Sequence, residues 1–187
     1  MLLLSARLQN IPLLSVRTGA RIGTVLAPII NPNNLHIDAF WCETVHSKSS
    51  VILLDMDIRE FSMKGIIIDD HLGLSDPEDL VRLKTVLEID YNLIGKATMA
   101  SKRKLGKVSD YAIDTASLFI QKIYVQPPVW KSGLDGNKLT FDRISVIEVT
   151  DTHIVVSGPE EKATKKFTVG SKTKLAGYSA SSSFTSE

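Results

Sequence analysis

The sequence contains a single cysteine, Cys42, and no glycine-rich phosphate-binding pattern. One thiol cannot form an intramolecular disulfide, and a reducing compartment is therefore expected. No apolar run reaches the ~18 residues that a membrane-spanning helix requires. The apolar opening "MLLLSARLQNIPLL" is interrupted by Arg7 and has no basic leader, which favours a first strand over a signal peptide. We therefore expect a cytoplasmic protein with no membrane span.

Side chains that could carry chemistry are present but poorly arranged. The four histidines show no zinc-site spacing, and no nucleophile-elbow motif occurs. Carboxylates cluster in Asp55-Met56-Asp57 and in Asp69-Asp70-His71. Adjacent residues of a strand point to opposite faces, so the second cluster indicates a solvated turn rather than a metal cage. We predict no catalytic residue, no metal and no cofactor.

An internal repeat is the strongest signal in the sequence. The stretch "RIGTVLAPIINPNNLHIDAFWCE" (21–43) aligns without a gap with "KLGKVSDYAIDTASLFIQKIYVQ" (104–126) at a shift of 83. The paired positions are Ile11/Ile94, Gly23/Gly106, Val25/Val108, Ile30/Ile113, Leu35/Leu118 and Ile37/Ile120. Further on, Ile66–Ile68 matches Ile154–Val156 at a shift of 88, so five residues are inserted around "PPVWKSGLDGN". Two copies of a small domain sharing an apolar contact are expected.

Each copy has the pattern of a β domain. Short segments such as "SVILLDM" and "RISVIEV" are rich in β-branched residues and are separated by turn formers. About five strands per half predict a small barrel, whose closure would remove exposed edges. Gly23 and Gly106 are interpreted as structural positions where a strand bends or approaches another backbone.

The segment "SDPEDLVRLKTVLEI" predicts a short helix joining the halves. Asp76 can cap it, Pro77 suits its first turn, and Leu80, Leu83 and Leu87 recur at helical spacing. This stripe is expected to pack on the barrels, with partner docking as the alternative.

The order of strand, turn, "RIGTV" or "KLGKV", hairpin and strand resembles the PRC-barrel family in both halves. The resemblance implies a mainly β protein with two small PRC-like β-barrels in tandem, joined by a short α-helix. The expected units are 1–75, the linker helix 76–87, 88–160, and a tail 161–187 that is first basic and then Ser-rich. The ending "GYSASSSFTSE" is predicted to be disordered.

The family resemblance also bears on function. Its members include the cytoplasmic domain of the photosynthetic reaction-centre H subunit and ribosome maturation proteins, and these barrels act as scaffolds that contact other macromolecules. No catalytic residue comes with the resemblance. This chain lacks the membrane helix of the first and the different N-terminal barrel of the second, so neither specific role is carried across.

Two candidate partner-binding surfaces lie in the second half. Residues 1–85 carry eight basic against ten acidic residues, whereas residues 86–187 carry fourteen against eleven. A basic run opens the second copy: Lys102, Arg103, Lys104 and Lys107. The inserted loop holds Trp130 behind Pro128, as binding loops often do, although Trp130 could equally fold back on the barrel. A solvated face is the alternative for the basic run.

These observations favour a non-enzymatic adaptor that docks a protein partner through these surfaces. The alternative is an RNA- or ribosome-associated maturation factor that uses the basic second half. Either interpretation is compatible with a homo-oligomer.

Overall fold

The computed structural model describes residues 1–45, 49–128 and 138–157. These residues form fourteen strands, one short α-helix and several single 3-10 turns. The strands are β1 (Leu2–Leu4), β2 (Pro12–Ser15), β3 (Arg21–Asn31), β4 (His36–Thr44), β5 (Ser50–Leu54), β6 (Ile58–Ser62), β7 (Gly65–Ile68), β8 (Leu74–Ser75), β9 (Ala97–Ala100), β10 (Arg103–Asp114), β11 (Ile120–Gln126), β12 (Leu139–Asp142), β13 (Val146–Val149) and β14 (His153–Val156). The helices are α1 (Lys84–Ile89) and the 3-10 turns Ser5–Arg7, Asp55–Asp57, His71–Gly73, Pro77–Asp79 and Arg143–Ser145.

The strands form two mixed sheets with the same topology. The first sheet has the order β6-β7-β2-β3-β4-β5-β8, and the second has β13-β14-β9-β10-β11-β12, with β1 also paired to β10. Apart from β8 and β1, each strand of the first sheet has a counterpart at the same place in the second. Each sheet contains one parallel pair, β2 with β7 and β9 with β14. The predicted internal repeat is confirmed.

Strand irregularities repeat at the shifts found in the sequence. In β3 the register slips after Val25 and after Ile29, and in β10 it slips at the matching positions 83 residues later. Such bulges bend and twist a strand, so their repetition gives both sheets the same local curvature. The predicted pairing of Ile11 with Ile94 is wrong. Val25 N donates to Ile11 O, whereas the equivalent Val108 N donates to Lys96 O, so Lys96 occupies the place of Ile11. Two extra residues in the β2–β3 turn explain this offset.

The two halves meet through their equivalent hairpins. Ile37 N donates to Leu118 O at 3.0 Å, and Ile120 N donates to Leu35 O at 2.9 Å. Both leucines are buried and adopt the left-handed conformation, with φ of 58° and 54°. A single apolar cluster contains buried residues of both sheets, including Leu13, Ile37 and Ile123. The expected apolar contact between the copies is therefore a shared core.

Two features of the sheets differ from the expectation. Neither sheet's strand order returns on itself within the described residues, so these strands form open sheets and barrel closure stays a prediction. The opening strand β1 pairs with Ala112–Asp114 of β10, so it joins the second sheet and not the first. A three-residue strand has too little pattern to indicate its partner from sequence.

The predicted linker helix is shorter than residues 76–87. The Asp76 side chain accepts a hydrogen bond from Glu78 N, but Pro77–Asp79 makes one 3-10 turn only. Leu80 then leaves helical geometry, with φ −93° and ψ 66°, and α1 begins at Lys84. Leu83 is buried against Ile29 of the first sheet, so the apolar stripe faces the core. Among the described helices, none combines the length and apolar character needed to cross a bilayer.

Candidate functional site

The predicted basic run forms a tight hairpin at one end of the second sheet. Ala100 of β9 pairs with Arg103 of β10, which leaves a two-residue turn. Ser101, the first turn residue, has φ 51°, and a positive φ lets such a turn match the twist of its strands. The exposed side chains are Lys102, Arg103, Lys104 and Lys107, which we call the basic hairpin.

A bulge shapes the basic hairpin. Lys104 pairs with Met99 and Gly106 pairs with Thr98, so Leu105 is the extra residue on β10. Leu105 is half-buried and packs against the shared core. This apolar contact fixes the strand, while the basic side chains on both sides of it stay in solvent. Lys102, Arg103 and Lys107 form no ion pair with another described residue.

The structure places the basic hairpin beside the base of the inserted loop. Lys107 pairs with Gln126, the last residue of β11, and Pro127 and Pro128 follow directly. A Cβ at Gly106 would lie 2.7 Å from the Gln126 carbonyl carbon and 3.0 Å from Pro127 Cα, so the two backbones are in close contact. The basic hairpin therefore adjoins the described base of the inserted loop, residues 126–128. Trp130 itself lies outside the described residues, as do residues 158–187.

The first copy lacks this arrangement at the matching end. Its β2–β3 hairpin carries two basic side chains, and both have partners: Arg17 lies 3.2 Å from Asp70, and Arg21 Nε donates to Gly23 O at 3.2 Å. The five-residue insertion belongs to the β11–β12 connection and has no counterpart between β4 and β5. Gly23, like Gly106, faces a backbone: a Cβ there would lie 2.6 Å from Glu43 O. The copies thus share the structural glycine and differ in charge and loop length.

Two of the carboxylates noted in the sequence, Asp69 and Asp70, form ion pairs with arginines. Arg59 holds Asp69 with two bonds of 2.7 and 2.8 Å, and Arg17 lies 3.2 Å from Asp70. The hydrogen bond from Arg59 lowers the pKa of Asp69, whereas burial, followed by the charges of Asp55 and Asp69, raises the pKa of Asp57. Over residues 1–45, 49–128 and 138–157, no group of three His, Cys, Asp or Glu side chains could hold a metal.

The one thiol is not placed for chemistry. Cys42 is fully buried, and its Sγ lies 3.5 Å from the carbonyl oxygen of Phe40. Burial raises its pKa to about 12, so the reactive thiolate is scarce at neutral pH.

The polar junction between the halves was not predicted from the sequence. His36 Nδ1 lies 2.7 Å from Asp38, its Nε2 lies 3.9 Å from Asp55, and its ring meets Phe119 edge-on at 4.6 Å. Arg143 lies 4.0 Å over the Phe119 ring. The repeat of Leu35 at Leu118 was the available signal, because both leucines form this junction. The contacts here are internal and stabilise the contact between the halves.

Neither a family model nor a curated protein matches this chain. Its class is therefore defined by its own structure, as a mainly β protein built from two copies of one unit.

Proposed function

We propose that this protein is a non-enzymatic adaptor with two PRC-barrel-like halves, and that its second half docks an acidic protein surface. The observation that carries the proposal is the pairing of Lys107 with Gln126, because it joins the basic hairpin to the base of the Pro128–Trp130 loop. Charge supplies orientation and an association rate, whereas a proline-stiffened aromatic supplies contact area at low entropic cost.

The two copies of the repeat support this assignment. Both copies share topology, bulges and the structural glycine. The fold of one copy therefore forms without a basic hairpin or an inserted loop. The basic hairpin and the inserted loop are both found in the second copy and at the same end of its sheet. A binding role at this end of the second sheet explains why the basic hairpin and the inserted loop occur together.

A protein partner fits the basic hairpin better than RNA. The chain as a whole is almost neutral, with a pI near 7.8, whereas nucleic-acid-binding domains are generally strongly basic. Residues 101–107 contain no aromatic side chain on which bases could stack. The RNA- or ribosome-associated role is the competing function, and salt dependence and nuclease treatment distinguish it.

The test is an affinity capture of the tagged full-length chain from lysate of its own cells, with and without nuclease. The test variant carries Lys102→Glu, Arg103→Glu and Lys104→Glu. The control carries Lys64→Glu, Arg82→Glu and Lys84→Glu, which change the net charge equally at exposed sites away from the hairpin. Surface ion pairs contribute about 0.2–1 kcal/mol each, so the loss of three should weaken binding of the partner by roughly 3-fold to 150-fold.

The expected result is one protein partner that survives nuclease, is retained by the control triple variant and is lost from the hairpin triple variant. Partners that disappear with nuclease would replace the proposal with the RNA-associated role. Equal capture by both triple variants would rule out the basic hairpin as the docking surface.

A further inference from the structure

The outer edge of β12 differs from its counterpart in the first sheet. In the first sheet, the outer edge of β5 is covered by β8, with Ile52 opposite Ser75 and Leu53 opposite Leu74. In the second sheet, β12 is the last strand among the described residues. At the shift of 88, Thr140 and Phe141 occupy the places of Ile52 and Leu53.

An uncovered β12 edge would be a poor end for a sheet. Leu139 is 37% exposed, Thr140 is exposed and Phe141 is half-buried, so apolar side chains flank backbone groups with which no described strand pairs. Edge strands of this kind pair with whatever extended segment is available, and proteins normally cover or charge them. The charge on β12, Asp142, is already paired with Lys122 across to β11 at 3.0 Å.

In the first copy, the strand that covers the outer edge of β5 comes from the residues that follow β7. The chain leaves β7 at Ile68, and after five residues it returns as β8 along β5. Leu74 of β8 packs against the shared core. In the second copy the chain leaves the equivalent strand β14 at Val156, and Ser157 N donates to Ser145 O at 2.7 Å. Residues 158–187 follow from this point.

We propose that the outer edge of β12 accepts a strand from the C-terminal segment, with Phe167-Thr168-Val169 as the occupant. These three residues are of types that favour strands, and they supply large apolar side chains to take the place of Leu74. Ten residues, 157–166, separate them from β14, against five in the first copy. Since an extended chain spans roughly 3.3 Å per residue, the segment reaches the edge with length to spare.

This proposal is independent of the docking function, but it affects the same end of the sheet. β12 is entered from the inserted loop, so a tail strand along β12 would lie beside the candidate site. By pairing with the β12 edge, the tail strand would also prevent strands of other chains from pairing there.

Hydrogen exchange in the full-length chain provides the first test. Thr168→Pro removes a backbone donor from the proposed strand, and Ser181→Pro is the matched control in the Ser-rich ending. We expect amides of Leu139–Asp142 to exchange at least tenfold faster in Thr168→Pro, with Ser50–Leu54 of β5 unchanged and Ser181→Pro like the parent chain. Unchanged exchange in β12, or an equal increase in β5, would overturn the proposal.

Cysteine pairing provides a second test that does not depend on stability. Thr140→Cys is combined in separate full-length chains with Phe167→Cys, Thr168→Cys or Val169→Cys, and Thr140→Cys with Ser181→Cys is the control. Residues facing each other across strands lie within disulfide range, and buried Cys42 does not compete. We expect one of the three pairs to close within a monomer under mild oxidation. Disulfides formed only between chains would assign the edge to a second copy and overturn the proposal.

Discussion

Replacing Gly106 by alanine tests the contact that holds the basic hairpin against the inserted loop. The added Cβ would overlap the Gln126 carbonyl, whose carbon is 2.7 Å away, and would lie 3.0 Å from Pro127 Cα. All of these are backbone atoms, so no side chain can turn aside to relieve the overlap. The β10 and β11 strands would have to separate locally at the Lys107–Gln126 pair.

The cost follows from three terms. Forced overlap in a packed region costs roughly 1–3 kcal/mol, and one weakened ladder hydrogen bond adds about 1 kcal/mol. Replacing glycine lowers the entropy of the unfolded chain, which returns about 0.4–1 kcal/mol. The free energy of unfolding should therefore fall by about 2 kcal/mol, which for a chain of this length lowers Tm by about 4–8 °C.

Urea unfolding followed by circular dichroism measures this change. Gly23→Ala, whose Cβ would lie 2.6 Å from Glu43 O, should destabilise the protein by a similar or somewhat smaller amount. Gly73→Ala is the control, because its nearest neighbour, Asp57 Cβ, is 3.5 Å away in ordinary contact. If the free energies of unfolding of Gly106→Ala and Gly73→Ala differed by less than about 0.5 kcal/mol, the close strand contact would be refuted.

Three further predictions concern single side chains. Because Cys42 is buried and its pKa is about 12, Ellman's reagent should label the native protein far more slowly than protein in denaturant, and equal rates would contradict its burial. The ion pair with Arg59 lowers the pKa of Asp69, so its stabilising effect is full above the ordinary value of 3.8 and is lost as pH falls through the lower folded value. The free energy of unfolding of Asp69→Asn, measured in urea at a series of pH values, should therefore fall less steeply with falling pH in this range than that of the parent chain. An identical slope would count against this pair. His36→Ala removes the Asp38 bond and the Phe119 contact, and should lower the free energy of unfolding by about 1–2 kcal/mol in the same urea assay; no change would show that this junction does not stabilise the fold.

The repeat could be predicted from the sequence because its signals are local. Gly23 and Gly106 stand at the same point of a long strand, and the later strands keep their spacing after the insertion. The predicted pairing of Ile11 with Ile94 failed because the turn before Arg21 is two residues longer than its counterpart, and turn lengths are where a constant shift breaks down.

Other features depend on contacts that no local pattern encodes. Leu35 and Leu118 adopt a left-handed conformation that leucine disfavours, and each is held there by the other half of the molecule. The short helical region was predicted as one helix because its apolar spacing is regular, but Leu80 turns out of the helix to pack on the first sheet. At the candidate site, composition indicated both surfaces, whereas their adjacency depends on the β10–β11 register.

Site-specific photo-crosslinking in the living cell is the most direct test of the docking proposal. A photoreactive phenylalanine analogue is placed at Lys107 in one full-length chain and at the exposed Arg82 in another. The account predicts a discrete crosslinked protein from position 107 that is absent from position 82 and insensitive to nuclease. Crosslinks of equal strength from both positions, or crosslinks from position 107 to RNA alone, would contradict it.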